Sequence, residues 1–241
     1  MPRHPARGDV EASFGRLADR YGLSAEAIGQ LRALHRLLVE DPLAPTAVRD
    51  PVKAIDDHIA DSLVALELEP VRAARNLADL GSGAGLPGLP LAIALPEANV
   101  ALVESASRRC AFLARAVAAT ATANAQVVNT RAESWPEGVA AFDVITARAL
   151  APLPVVVEYA APLLTVGGLL VAWRGRRNHP DEAAAARAAA YLGLEPIEIR
   201  HMQPFTGAEH RYLHLMSKVM GTPAGFPRRP GMALKRPLGS Q

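Results

Sequence analysis

The sequence predicts an α/β fold: a doubly wound parallel sheet that ends in one antiparallel strand and is preceded by a helical cap. Three observations carry this. From residue 76 onward, short apolar runs alternate with alanine-rich or amphipathic segments, which is the pattern of a parallel sheet covered by helices on both faces. The first run leads directly into a glycine loop, Asp79-Leu80-Gly81-Ser82-Gly83-Ala84-Gly85. The last two runs have a proline- and glycine-containing loop between them and no helix, so they must pair as a hairpin.

Taken in order, residues 1–8 are rich in proline, arginine and glycine and are expected to be disordered. Residues 9–70 form the helical cap. There Phe14, Leu17 and Tyr21, then Ile28, Leu31, Leu34 and Leu38, recur at helical spacing, with Ser24 as an N-cap. Pro42, Pro45 and Pro51 force an extended connection, and Ile55, Ile59, Leu63 and Leu66 mark a further helix. Residues 71–221 form the sheet domain, with strands expected at 76–80, 99–104, 125–129, 142–147 and 167–173. A helix at 181–192 and the hairpin of 194–202 with 210–219 complete it. Residues 222–241, with Arg228, Arg229, Lys235 and Arg236 and no acid, are expected to be a disordered basic tail.

Composition narrows the function classes. With 241 residues, 50% of them hydrophobic, the chain can bury one substantial core. A net charge of +2 is too small for binding by bulk charge, yet it leaves room for a local basic face that meets phosphate. The single cysteine excludes an internal disulfide framework, and no cysteine-histidine cluster suggests a metal. No apolar segment approaches a membrane span, and the expectation is a cytoplasmic monomer with no membrane partner.

The glycine loop is the first chemical signal. Glycines at alternate positions allow backbone angles closed to other residues and let a ligand lie against main-chain N–H groups at a helix start. About twenty residues further on, Val100-Ala101-Leu102-Val103 ends in Glu104, the place of an acid that holds a ribose. The spacing is D-x-G-x-G-x-G, with Asp79 placed to meet an amine or a sulfonium and to repel a pyrophosphate. S-adenosylmethionine is therefore favoured over a nicotinamide dinucleotide. A sheet ending in an antiparallel strand agrees with this, since it is the arrangement of the class I S-adenosylmethionine-dependent methyltransferases, whose core is Rossmann-like.

Several segments together resemble the bacterial small-subunit ribosomal RNA guanine-N7 methyltransferases, the glucose-inhibited division protein B family. They are Val48-Arg49-Asp50-Pro51, His58-Ile59-Ala60-Asp61-Ser62, the loop extended by Leu86-Pro87-Gly88-Leu89-Pro90, Glu104 to Leu113, and Ala147-Arg148-Ala149 followed by Leu153. The likeness covers roughly 45–217. It implies methylation of N7 of one guanine in 16S ribosomal RNA, with the RNA or a small-subunit precursor as partner. It also implies a cofactor pocket at Gly81, Leu86, Ala132, Glu133 and Arg148, which joins Asp79, Gly83, Gly85 and Glu104 from the loop reading. The chain departs from the family pattern at Ala44-Pro45-Thr46, and in having Arg174-Gly175 where a lysine commonly precedes the glycine.

Guanine N7 is an unprotonated acceptor, so attack on a sulfonium methyl needs alignment and exclusion of water but no general base. Consistent with this, the segment after the fourth strand, Thr146 to Pro152, has no motif for orienting an exocyclic amine. Cys110 reads as a packed thiol rather than a nucleophile. His58, Asp61 and Arg148 are candidates for positioning the target base. His58 and Asp61 can equally belong to a cluster that fastens the cap to the sheet. Arg174, Arg176 and Arg177 are candidate RNA contacts, as are Arg72, Arg75, Arg108, Arg109 and Arg115. Methylation of another RNA site or of a small molecule stays open at this point, because a fold alone does not set the substrate.

Overall fold

The computed structural model describes residues 7–239. The cap opens with α1 (Arg7–Tyr21) and α2 (Ala25–Glu40). The Ser24 hydroxyl accepts the Ala27 amide at 3.1 Å, and Ile28, Leu31, Leu34 and Leu38 are buried, so the cap residue and the apolar stripe act as their spacing predicts. After the proline-rich connection, Asp50 accepts the Lys53 amide at 2.8 Å and starts α3 (Pro51–Ala54). The chain then widens into a π-helical stretch, Ile55–Ala60, before α4 (Asp61–Leu63), a 3-10 stretch (Val64–Glu67) and α5 (Glu69–Arg72). Periodicity had indicated one regular helix here. Asp57 in the π segment and Asp61 just after it meet Arg211 and Arg148 of the sheet domain, and such widened turns recur at functional sites.

Seven strands follow: β1 (Asn76–Leu80), β2 (Asn99–Glu104), β3 (Ala125–Asn129), β4 (Phe142–Arg148), β5 (Leu164–Arg174), β6 (Leu194–His201) and β7 (Tyr212–Lys218). Their order across the sheet is β3-β2-β1-β4-β5-β7-β6. β1 to β5 pair in parallel, and β7 inserts antiparallel between β5 and β6. Helices α6 (Gly88–Ala94), α7 (Ser107–Thr120), α8 (Leu153–Ala160) and α9 (His179–Leu192) cover the faces, and a short α10 (Met232–Lys235) ends the described chain.

Side chains alternate between two cores. Leu77, Val100 and Leu102 join the cap helices, α6 and α7 in one, whereas Ala78, Leu80, Ala101 and Val103 join α8 and α9 in the other. Because the cap shares its core with the sheet, it is an integral layer rather than a separate body, and α5 runs across the boundary drawn at 70.

Two expectations about the termini are corrected. Of the stretch 1–8, residues 1–6 lie outside the described residues, and Arg7 and Gly8 already belong to α1. Residues 222–239 are not a loose tail. Ala233 is 2% exposed in the second core, Arg228 pairs with Glu158, and Arg187 of α9 donates to the Gly239 carbonyl. Composition misleads here because the segment's few apolar residues and one arginine dock on groups contributed by α8 and α9.

Candidate functional site at the carboxyl edge of the sheet

In-register pairing of Leu80 with Val103 and with Ala147 brings the ends of β1, β2 and β4 to one edge. Ligands of open α/β sheets bind outside this edge. Gly81, Gly83 and Gly85 all have positive φ, at 70°, 54° and 87°. At Gly81 a Cβ would lie 2.5 Å from Leu150 Cδ1, so glycine is required there for both angle and space.

Asp79 lies beneath this loop rather than facing a ligand. It is fully buried and lines neither cavity described below. Its carboxylate accepts the Thr146 hydroxyl at 2.9 Å and the Gly88 amide at 3.2 Å, at the start of α6. Burial pushes its pKa up to about 6 against these hydrogen bonds. A contact from Asp79 to a ligand amine is therefore corrected to anchorage of the loop and of α6. Its position on a central strand covered on both faces is the physical reason.

Two cavities open on this edge. The first, of 220 Å³, is lined among others by Gly81, Glu104, Ala132, Glu133, Tyr159 and Leu234. Glu104 is 4% exposed and accepts the amides of Gly83 at 3.2 Å and Ala106 at 2.8 Å, with Arg109 at 3.6 Å. Burial pushes the Tyr159 hydroxyl up to about 12, reinforced by the neighbouring Glu133 and Glu158 carboxylates. Gly83, Gly85 and Leu86 do not line this space. Leu86 is buried in the core, a Cβ on Gly85 would press on Leu113 and Leu89 at 3.3 Å, and one on Gly83 would meet only the Gly81 carbonyl, at 3.7 Å.

The second cavity, of 410 Å³, lies between cap and sheet and is lined among others by Asp61, Arg148, Trp173, Arg174, Arg176 and Arg211. Arg148, expected in the cofactor pocket, stands here instead. Its guanidinium meets Asp61 Oδ2 at 2.8 Å and donates to the Asp57 carbonyl at 3.1 Å, because β4 ends directly beneath the π segment. Asp61 is 4% exposed, and Arg211 Nε approaches its Oδ1 at 3.2 Å without forming a hydrogen bond; among the described residues that oxygen has no hydrogen-bond partner. Burial pushes the Asp61 carboxyl up, and the two arginines draw it back toward the ionised form. Trp173 Nε1 donates to the Asp61 carbonyl at 2.7 Å. His58 does not line the cavity. Its Nε2 bonds the Thr46 hydroxyl at 2.7 Å, and burial with the nearby Arg148 charge lowers its pKa. That bond lies within the cap, tying the π-helical stretch to the proline-rich connection.

The three arginines after β5 separate by role. Arg174 donates to the Ala151 carbonyl at 2.8 Å and to Asp181 at 2.6 Å, and Arg177 makes a two-pronged pair with Glu182 at 2.5 and 2.6 Å. Both are committed to fixing the start of α9. Arg176 is exposed and, among the described residues, makes no ion pair or hydrogen bond, which leaves its charge for a partner. Cys110 is buried, with its thiol donating to the Glu104 carbonyl at 3.2 Å, as a packed thiol should.

Sequence reasoning missed Trp173, Arg211, Tyr159 and Leu234. The first three sit in segments that read as ordinary apolar or amphipathic runs, and only pairing of β5 with β7, which sets Trp173 beside Leu213, brings Trp173 and Arg211 to Asp61. Leu234 lay in the segment dismissed as disordered.

Comparison with known proteins identifies the family. The family model described as rRNA small subunit methyltransferase G matches residues 39–210. A ribosomal RNA small subunit methyltransferase G of Rubrobacter xylanophilus is 37% identical over 98% of this chain and 93% of its own. One of Chloroflexus aggregans is 39% identical over 86% of this chain and 88% of its own. Among solved structures, a SAM-dependent methyltransferase from Aquifex aeolicus superposes with a TM-score of 0.54 over 69% of this chain and 96% of that one, at 13% identity. At that identity the likeness concerns the fold alone.

Proposed function

Because the chain belongs to the rRNA small subunit methyltransferase G family, we propose that it transfers the methyl group of S-adenosylmethionine to N7 of one guanine in 16S ribosomal RNA. The observation that carries this reading to the site is the pair of cavities at the carboxyl edge, which share Ala149 as a common wall. The residues of the smaller cavity fit an adenosyl group. The Glu104 carboxylate can accept two ribose hydroxyls, and the backbone at Ala132 and Glu133 can pair with an adenine edge. Bound there, S-adenosylmethionine supplies an electrophilic methyl group.

The target guanine is assigned to the larger cavity. Attack by the N7 lone pair forms a carbon–nitrogen bond as the carbon–sulfur bond breaks, so positive charge passes from sulfur to the base and no proton has to leave. The protein therefore needs to orient the base, exclude water and tolerate the new cation. Asp61, more than nine-tenths buried and with Oδ1 ion-paired to Arg211 but outside any hydrogen bond among the described residues, is suited to accept from the N1–H and N2–H₂ edge that distinguishes guanine from adenine. That bond strengthens as the ring becomes cationic, which favours the transition state over the bound substrate. Arg148 holds Asp61 in place, and Arg176 is the candidate phosphate contact.

The enzyme is further proposed to act as a cytoplasmic monomer. Among the described residues no helix is long and apolar enough to cross a membrane. The test is chemical mapping of 7-methylguanine, by borohydride reduction and aniline cleavage, in 16S ribosomal RNA from cells with and without the gene. One guanine should lose its modification in the deleted strain, and an unchanged pattern would refute the N7 assignment.

A further inference from the structure

Residues 222–239 lie beyond the stretch matched by the family model, 39–210, yet they help to wall the smaller cavity. Their attachment is specific. Arg228 makes a two-pronged pair with Glu158, Nε to Oε1 at 2.7 Å and Nη2 to Oε2 at 2.5 Å, and Glu158 is 1% exposed. An acid so buried on α8 is strongly unfavourable without a cation, so the segment supplies a charge that the domain requires. The same guanidinium donates to the Arg236 carbonyl at 2.8 Å, which closes residues 228 to 236 into a loop. At the tip of that loop the Gly231 amide donates to Glu133 Oε1 at 3.2 Å.

The loop ends in α10, where Ala233 enters the core and Leu234 turns the other way, 53% exposed, against the cavity that holds Glu104 and Glu133. A single exposed leucine needs no explanation by itself. This one stands at the rim of a pocket whose other walls fit a ribose and a flat heterocycle, and a ligand there would remove it from water. We infer that residues 222–239 are part of the S-adenosylmethionine site: Leu234 packs on the adenosyl group, and the Gly231–Glu133 hydrogen bond sets the acid beside it. The inference rests on the methyltransferase reading. A ligand that touches the segment only when it is docked also holds it docked, so occupancy of the site and attachment of 222–239 are linked.

The full-length protein tests this by calorimetric titration with S-adenosylhomocysteine and by limited trypsin digestion after Lys235, the bond from Arg236 to Pro237 being closed to trypsin. Leu234→Asp, at a half-exposed position, should leave the fold intact and weaken the ligand at least fivefold, and Leu234→Ser should weaken it less. Saturating S-adenosylhomocysteine should slow cleavage after Lys235 several-fold in the parent. Arg228→Gln alone leaves Glu158 unpaired and endangers folding. The double variant Arg228→Gln with Glu158→Gln removes both charges, and should speed cleavage and weaken the ligand together. Parent-like affinity in Leu234→Asp, or cleavage indifferent to ligand, would overturn the inference. A parent protein that bound no S-adenosylhomocysteine would instead overturn the methyltransferase reading beneath it.

Discussion

Asp61 on the cap and Arg148 at the end of β4 meet at 2.8 Å, with side chains 6% and 17% exposed, so the cap is held to the sheet through a buried charge pair at the mouth of the larger cavity. Removing one partner of such a pair leaves the other uncompensated. Asp61→Ala should lower unfolding free energy by about 3 kcal/mol, read from urea denaturation. Asp61→Asn keeps the shape and loses the acceptor charge, and should cut guanine methylation at least tenfold while the fold survives. Methylation at the parental rate in Asp61→Asn would remove Asp61 from base recognition.

The glycine loop predicts a ranking. At Gly81 an added Cβ meets Leu150 Cδ1 at 2.5 Å, whereas at Gly83 the nearest contact is a carbonyl at 3.7 Å. Gly81→Ala should therefore displace Leu150 into the smaller cavity and weaken cofactor strongly. Gly83→Ala carries only the cost of a left-handed angle, about 1–2 kcal/mol of stability. Calorimetry on both variants checks the order, and the reverse order would contradict the role given to Leu150.

Glu104→Ala should weaken S-adenosylmethionine by about 1.5–3 kcal/mol, the usual worth of hydrogen bonds to a charged group. Titration at fixed salt reads it, and unchanged affinity would move the ribose contact elsewhere.

Asp79 sets a pH signature. Its folded pKa of about 6 stands above the ordinary value of 3.8, so between these limits the native state keeps a proton that the unfolded chain has lost. Its contribution is thus fully present below pH 4 and fades as pH rises through 6, by about 3 kcal/mol at most. Asp79→Asn lacks this dependence. The stability difference between variant and parent should grow in favour of asparagine from pH 4 to 6 and stay level above, and a constant difference would mean that the carboxyl titrates normally.

The arginines after β5 should respond differently to salt. Arg176→Ala should weaken RNA binding and flatten its dependence on salt by about one contact's worth, a slope change of 0.9 or less, with cofactor affinity unaltered. Arg174→Ala should chiefly destabilise α9, since that guanidinium is spent on Asp181 and the Ala151 carbonyl. Filter binding at several salt concentrations separates the two.

Much of this molecule was legible in its residues because the signals were local. Alternation of apolar runs marked all seven strands to within a few positions, Ser24 marked a helix start, and the loop with Glu104 marked the edge on which both cavities open. What escaped depended on contacts distant in sequence. Asp79 was read as ligand-facing because its depth comes from strands and helices that cover it on both faces. Arg148 was displaced from one cavity to its neighbour by a widened helical turn that periodicity cannot register. The terminal segment was misjudged because Arg228 finds its partner seventy positions away on α8, a pairing that composition does not contain.

Ala149 sits just past β4 with φ of 54° and contributes to both cavities. The partition between the two cavities is therefore a single residue thick at that point, with no side chain beyond a methyl group to thicken it. A bulkier residue there would narrow two chambers at once, so whatever the two hold, their volumes change together when this position does. Tuning one without the other has to come from the outer walls.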